Sequence, residues 1–347
     1  MKNKMINFGV IGAGRIGKLH AENLCTCVPG TSVKYIADVI LEAAQETADK
    51  LHIPTATSDY REILADLEVD AVAICSSTDT HSQIIIDAAA AGKDIFCEKP
   101  IDYDLAKIDA ALNAVKDAGV KLQVGFNRRF DPNFRKLREV VAGGKVGAPH
   151  ILRIISRDPA PPPIEYIKVS GGIFFDMTIH DFDMARYLMD SEVSEIFVAG
   201  GVMVDSAIGD AGDIDTAVIT LRFENGAIGT IDNSRQAVYG YDQRVEVFGS
   251  GGMVTAGNNM PDTHIYSNSE GVFSSKPLYF FLERYTESFL CEMRAFVDAI
   301  QNNGHPPVSG IDGRIPVIMG MAAKKSFLEG RPVKLKEIED SEIIYPQ

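Results

Sequence analysis

The sequence predicts a doubly wound parallel α/β sheet followed by an α+β domain on a largely antiparallel sheet. Three observations carry this reading. A glycine-rich turn joins a short apolar strand to an amphipathic helix near the N-terminus. Apolar runs then alternate with helix-period segments as far as Phe126. Beyond Asn127 that alternation stops, and strand candidates separated by short glycine turns take over. The expected domains are 1–126 and 127–347, in keeping with the length of 347 residues.

Composition narrows the class. With 46% hydrophobic and 24% charged residues the chain is an ordinary globular protein. Its formal net charge of −14 argues against nucleic acid or an anionic membrane as partner. The five cysteines, Cys25, Cys27, Cys75, Cys97 and Cys291, lack a paired framework spacing and fit a reducing compartment. Cys25-Thr26-Cys27 has no second ligand cluster near it and reads as helix packing rather than zinc. The first apolar run is too short for a secretory signal, and no later run spans a bilayer. A cytoplasmic location is expected.

Met5 to Ile11 is a buried-strand candidate that ends in Gly12-Ala13-Gly14-Arg15-Ile16-Gly17. This is G-x-G-x-x-G between a strand and a helix. Gly12 permits a tight turn, Gly14 lets a pyrophosphate approach the backbone, and Gly17 lets helix and strand pack closely. The helix N-terminus then offers amides and a positive dipole end to phosphates. The candidate cradle is Gly12, Gly14, Arg15, Ile16 and Gly17. A tight turn with no ligand would use the same residues.

Val33 to Ala37 is a second strand, ending in Asp38. An acid at that distance from the glycine turn can accept the ribose hydroxyls of an adenosine. Val39 and Ile40 supply no arginine for a 2′-phosphate, so NAD is expected over NADP. The bland alternative is an ordinary strand-end aspartate. Helices over 41–51 and 59–67, a strand over 71–75, a helix over 82–91, a strand over 95–97, a helix over 105–118 and a strand over 122–126 continue the alternation. Ligands of such sheets sit beyond the C-terminal strand ends. Ser76-Ser77-Thr78-Asp79-Thr80-His81, Glu98-Lys99-Pro100 and Asn127-Arg128-Arg129 stand there. From these, Ser76, Ser77, Thr78, His81, Glu98 and Lys99 join the cofactor candidates. Pro100 directs Lys99 away from helical geometry, so that the lysine can donate to a substrate oxygen. A solvated loop lysine is the competing reading.

In the second half a helix over 133–141 precedes a strand over 150–155 and the stiff segment Arg157-Asp158-Pro159-Ala160-Pro161-Pro162-Pro163. Strands are expected over 195–200, 216–223, 227–233 and 244–248, with Glu224-Asn225-Gly226 as a hairpin turn. Helices are expected over 282–302 and 312–328. Between these lies Gly171-Gly172-Ile173-Phe174-Phe175-Asp176-Met177-Thr178-Ile179-His180-Asp181-Phe182-Asp183, read as a turn feeding one helix. Asp176 and His180, four apart, would share a helix face, and the carboxylate would orient the imidazole for acid–base work. A buried, satisfied histidine beside a first-turn acid is the alternative.

The combination of the glycine fingerprint, Glu98-Lys99-Pro100, and Gly171-Gly172 with Asp176 and His180 resembles the glucose-fructose oxidoreductase / inositol dehydrogenase family over nearly the whole chain. Ser156-Arg157-Asp158-Pro159, the 176–183 stretch and Ser234 to Arg244 are similar to inositol 2-dehydrogenases. The resemblance implies a Rossmann domain that binds NAD, and Lys99, Asp176 and His180 as the catalytic set. It also implies substrate contacts from Lys99, Asp176, His180, Arg128, Asp158, Tyr241 and Tyr285, with a Lys99-Pro100 bond that is cis in relatives. The implied reaction oxidises a ring hydroxyl of a cyclic polyol to a ketone without a metal, in a homotetramer or homodimer. An aldose or other polyol dehydrogenase is the nearest alternative, and a non-catalytic NAD-binding sensor a distant one. Ser156 stands where some relatives have histidine, which bears on polyol selectivity.

Overall fold

A computed structural model describes residues 4–340. By compactness these form two units, 4–130 with 287–317, and 131–286 with 318–340. The compact body around the first sheet takes in 287–317 as well.

The first unit holds a six-stranded sheet in the order Thr55–Thr57, Thr31–Ala37, Ile6–Ile11, Ala71–Ile74, Asp94–Glu98, Leu122–Gly125. Every neighbouring pair is parallel. The strand order reverses between Ile6–Ile11 and Ala71–Ile74, the crevice where doubly wound sheets hold ligands. Its central strands Ile6–Ile11 and Ala71–Ile74 are buried on both faces, as their apolar runs require. Phe8, Val10, Ile36 and Phe96 pack with Ala21 and Leu24 of the helix Arg15–Thr26. Met293, Phe296 and Val297, from far along the chain, complete that core. The three-residue strand Thr55–Thr57 is too short to leave a pattern in the sequence.

The second unit holds seven strands in the order Gly252–Ala256, Asp242–Gly249, Pro149–Arg157, Ile228–Ser234, Thr216–Phe223, Val193–Gly201, Val333–Lys334. Pro149–Arg157 and Ile228–Ser234 run parallel, and the other neighbours antiparallel. Strand Thr216–Phe223 alternates as expected, with Ala217, Ile219, Leu221 and Phe223 buried and Val218, Thr220 and Arg222 exposed. The helix Thr178–Met189 lies against Pro149–Arg157 and Ile228–Ser234.

Two expected helices are broken. The stretch read as a single helix is two, Ile173–Asp176 and Thr178–Met189, joined at Met177 with φ −100° and ψ −59°. The cause is local. The Thr178 hydroxyl donates to the Ile173 carbonyl at 3.2 Å and to Asn233 Oδ1 at 2.6 Å, competing with the regular ladder. The His180 amide then reaches Met177 O, three residues back, at 3.3 Å. The segment expected as a helix from 282 likewise divides at Tyr285 into Phe281–Arg284 and Thr286–Gln301. There the Thr286 hydroxyl donates to Leu282 O at 2.7 Å.

Candidate active site

In the first unit the predicted cofactor residues converge at the C-terminal ends of the parallel strands. Gly12 adopts φ +104°, and a Cβ there would stand 2.5 Å from the Cys75 carbonyl oxygen. A Cβ at Gly17 would stand 1.9 Å from the Gly12 oxygen. No side chain would fit at either place. At Gly14, by contrast, a Cβ would meet nothing within 4 Å. No side chain caps the helix that starts at Arg15. An open approach over uncapped amides suits a pyrophosphate.

Asp38 accepts from the Ala13 amide at 2.7 Å and the Ile40 amide at 2.9 Å. It therefore braces the glycine turn, and each carboxylate oxygen keeps a second lone pair for a ribose hydroxyl. Val39 and Ile40 beside it are exposed and carry no charge for a 2′-phosphate.

The helix expected from Ser82 begins at Thr78, with Ser77 at its cap position. Ser76 and Thr80 pair through their hydroxyls at 2.7 Å. His81 is buried, with Nδ1 2.8 Å from Pro100 O and Nε2 3.0 Å from Ser76 O. Burial holds its pKa down. Both ring nitrogens thus face backbone carbonyl oxygens, one of which accepts the single N–H of the neutral ring, and the imidazole lies between the Ser76 strand end and the Lys99-Pro100 turn. That peptide bond is cis. Glu98, the last residue of its strand, and Lys99 are both half-buried. Arg128 is buried in a short 3-10 turn, Asn127–Phe130, just after the neighbouring strand.

In the second unit Asp176 and His180 stand out from a run that is otherwise buried. From Ile173 to Arg186 they are the two positions that keep partial exposure. Asp176 Oδ1 accepts from the Tyr166 hydroxyl at 2.8 Å, and Oδ2 from Arg235 Nη1 at 3.0 Å. Arg235 is fully buried and reaches Asp213 at 3.4 Å. Asp213 also receives the Ile173 amide at 3.1 Å, at the start of the first short helix. The Asp158 carboxylate adds to the negative field around Arg235. Below His180, Asn233 joins Thr178 to Asp181, donating to the Asp181 carboxylate at 2.9 Å.

Tyr241 and Tyr285 are buried edge to face with ring centres 6.0 Å apart. The Tyr285 and Ser156 hydroxyls both donate to Gln243 Oε1, at 3.4 and 3.2 Å. Strand pairing sets Gln243 opposite Ser156 and Asp242 opposite Arg157, next to Asp158. Of the predicted substrate residues of this unit, Asp158 and Asp176 therefore share a framework through Arg235, and Tyr241 and Tyr285 pack on it beside Gln243. Tyr166, Arg235 and Gln243 belong to it and were not among the expected site residues. The sequence offers little to mark them, since an arginine in a strand-end segment normally faces water.

This arrangement can bind a dinucleotide through backbone amides in one unit. In the other it presents a braced carboxylate and an imidazole to a polar ligand. Two family models match the chain: "Oxidoreductase family, NAD-binding Rossmann fold" over residues 6–126, and "GFO/IDH/MocA C-terminal domain" over residues 134–255. The myo-inositol 2-dehydrogenase of Thermotoga maritima is 53% identical, over 96% of this chain and 99% of that protein. The inositol 2-dehydrogenase of Rhizobium meliloti is 44% identical, over 95% of this chain and 99% of that protein. The crystal structure of scyllo-inositol dehydrogenase from Lactobacillus casei with bound NAD(H) and scyllo-inositol is 29% identical. It superposes with a TM-score of 0.90, over 96% of this chain and all of that one. The chain belongs to the GFO/IDH/MocA family of oxidoreductases.

Proposed function

We propose that this GFO/IDH/MocA oxidoreductase uses NAD to oxidise one ring hydroxyl of an inositol, taking myo-inositol to 2-keto-myo-inositol (scyllo-inosose). The observation that carries the reading is the pair of partly exposed groups, Asp176 and His180, the first of them braced by Arg235 and Tyr166. The full-length likeness to inositol 2-dehydrogenases supports the substrate class.

His180 removes the hydroxyl proton. Asp176, held by Arg235, steadies the imidazolium that results. Lys99 donates to the same substrate oxygen as it becomes a carbonyl. Arg128, Asp158, Tyr241 and Tyr285 bind and orient the ring hydroxyls. Gly12, Gly14, Arg15, Ile16 and Gly17 hold the pyrophosphate, and Asp38 the adenosine ribose. Ser76, Ser77, Thr78 and Glu98 line the nicotinamide end, while His81 positions their backbone. NAD, when bound, supplies the hydride acceptor. Residues 1–126 are the cofactor domain and 127–347 the substrate and oligomerisation domain.

The enzyme works in inositol catabolism in the cytoplasm, as a homotetramer or homodimer. Support for assembly is the apolar set left exposed on the second unit's sheet, Val218, Ile228, Phe248 and Met253. The test is NADH formation, followed by absorbance, with myo-inositol, scyllo-inositol, D-glucose and D-xylose, each with NAD and NADP. Turnover of an inositol with NAD is the expected result. Turnover of an aldose alone would overturn the substrate assignment, and preference for NADP would overturn the role of Asp38.

A further inference from the structure

Beneath the cofactor edge of the first unit lies a cluster that the reaction above does not use. His20, from the helix Arg15–Thr26, is fully buried and walled by Phe96 and Phe289, with ring centres 4.9 and 5.9 Å away. Its Nε2 lies 2.8 Å from Glu98 Oε1 and 3.9 Å from Glu292 Oε1. Glu292, from the helix Thr286–Gln301, has no exposed surface, and neither of its carboxyl oxygens has a hydrogen-bond partner. The His20 Nδ1 has none either. Of the three side chains, Glu98 is the one with exposed surface, 13% at the C-terminal end of its strand.

An ionised Glu292 would be a buried carboxylate with no donor and with the charge of Glu98 as a neighbour. Such a group keeps its proton instead. Burial first, and the Glu98 charge second, push its carboxyl well above the usual range. Cys75, just beyond the strand Ala71–Ile74, and Cys97, within Asp94–Glu98, also feel the charge of this cluster, and His81 senses Glu98.

We propose that His20, Glu98 and Glu292 form a buried proton store under the cofactor edge. Glu292 is a neutral acid in the free enzyme. It loses part of its proton to solvent when the positively charged oxidised nicotinamide binds, and keeps it when the uncharged reduced ring binds. A positive charge at the strand ends above Glu98 lowers the proton affinity of a carboxyl in this low-dielectric interior. Substrate oxidation still yields ketone, NADH and one proton. The store changes only when that proton reaches solvent.

The inference rests on the dinucleotide reading of this unit. The experiment is calorimetric titration of the enzyme with NAD+ and with NADH, each in two buffers of different ionisation enthalpy at one pH. The buffer dependence counts protons exchanged on binding. The wild type should release about half a proton more with NAD+ than with NADH. Glu292→Gln should bind both cofactors with that difference abolished. Equal proton numbers in the wild type would overturn the store while leaving cofactor binding intact. Failure to bind either cofactor would count against the dinucleotide reading itself. Should Glu292→Gln not fold, the infrared C=O band of a protonated carboxyl in the wild type decides. Its weakening on addition of NAD+ supports the store, and its absence from the free enzyme overturns it. A stoichiometric metal in the purified protein would also overturn it, because the three side chains could then ligate a cation.

Discussion

The two halves of the candidate site are held by different physics. In the first unit, Gly12, Gly14 and Gly17 act through what they lack, and the proposed pyrophosphate site is the first turn of the helix Arg15–Thr26. In the second, Asp176 is held by two side chains distant in sequence, Tyr166 and Arg235, and Arg235 is held in turn by Asp213. A backbone site is encoded within a few residues. A side-chain site is encoded wherever the fold happens to bring partners together. The first kind tolerates drift around it but no change within it. The second fails when any one brace is lost.

The largest effect expected is at His180. His180→Ala should lower kcat by about two to four orders of magnitude, with NADH affinity unchanged. Steady-state rates beside a cofactor titration check this, and near-normal turnover would remove His180 as the base. Next is Arg235→Met, which strands Asp176 and Asp213 without their buried cation. A loss of about 3 kcal/mol of stability is expected, seen as a lower Tm and a fall in kcat. If the two halves are as separate as their construction suggests, the NADH Kd of this variant should stay within about twofold of wild type. A large rise in that Kd would break the comparison.

Asp38→Ala tests the backbone half. It removes the acceptor of the Ala13 and Ile40 amides and of the ribose, so NAD affinity should fall by about tenfold. NADP affinity should fall less, and inositol KM at saturating NAD should hold. The smallest effect is a pH trend. Glu292 has a raised carboxyl pKa in the folded chain, so the folded state binds more protons than the unfolded one above the ordinary glutamate range. Its contribution is present at low pH and is lost as pH rises above about 4.5. Glu292→Gln, neutral throughout, should therefore gain in Tm over the wild type as pH is raised from about 5 to 8. A constant difference across that range would mean that Glu292 is already ionised in the folded protein.

The same contrast explains how much was legible in the sequence. The parallel sheet, its strand ends and Asp38 follow from short-range patterns, because the central strands are apolar runs and the first turn carries its own glycines. The second sheet was legible as alternation in Thr216–Phe223 and as the turn at Gly226. The breaks at Met177 and Tyr285 were not. Both depend on a threonine hydroxyl bonding a carbonyl four or five residues back, and helix periodicity does not register that competition. Arg235 and Gln243 were missed because nothing local distinguishes a buried arginine or glutamine from an exposed one, and Tyr166 because its partner Asp176 is ten residues away. The return of Met293, Phe296 and Val297 to the first core is a long-range event of the same kind.

The break at Met177 bears on how this enzyme could acquire new substrates. In an unbroken helix the separation of Asp176 and His180 would be dictated by the helical pitch and could not vary. Here the two groups belong to different short helices, and one joint sets the distance between them. A substitution at Met177, or at Thr178, which anchors the joint to Asn233, would shift the acid against the base by a fraction of an ångström. The glycine turn and the core of the first unit would be left as they are. Selection for a larger or differently puckered ring would find its smallest step there.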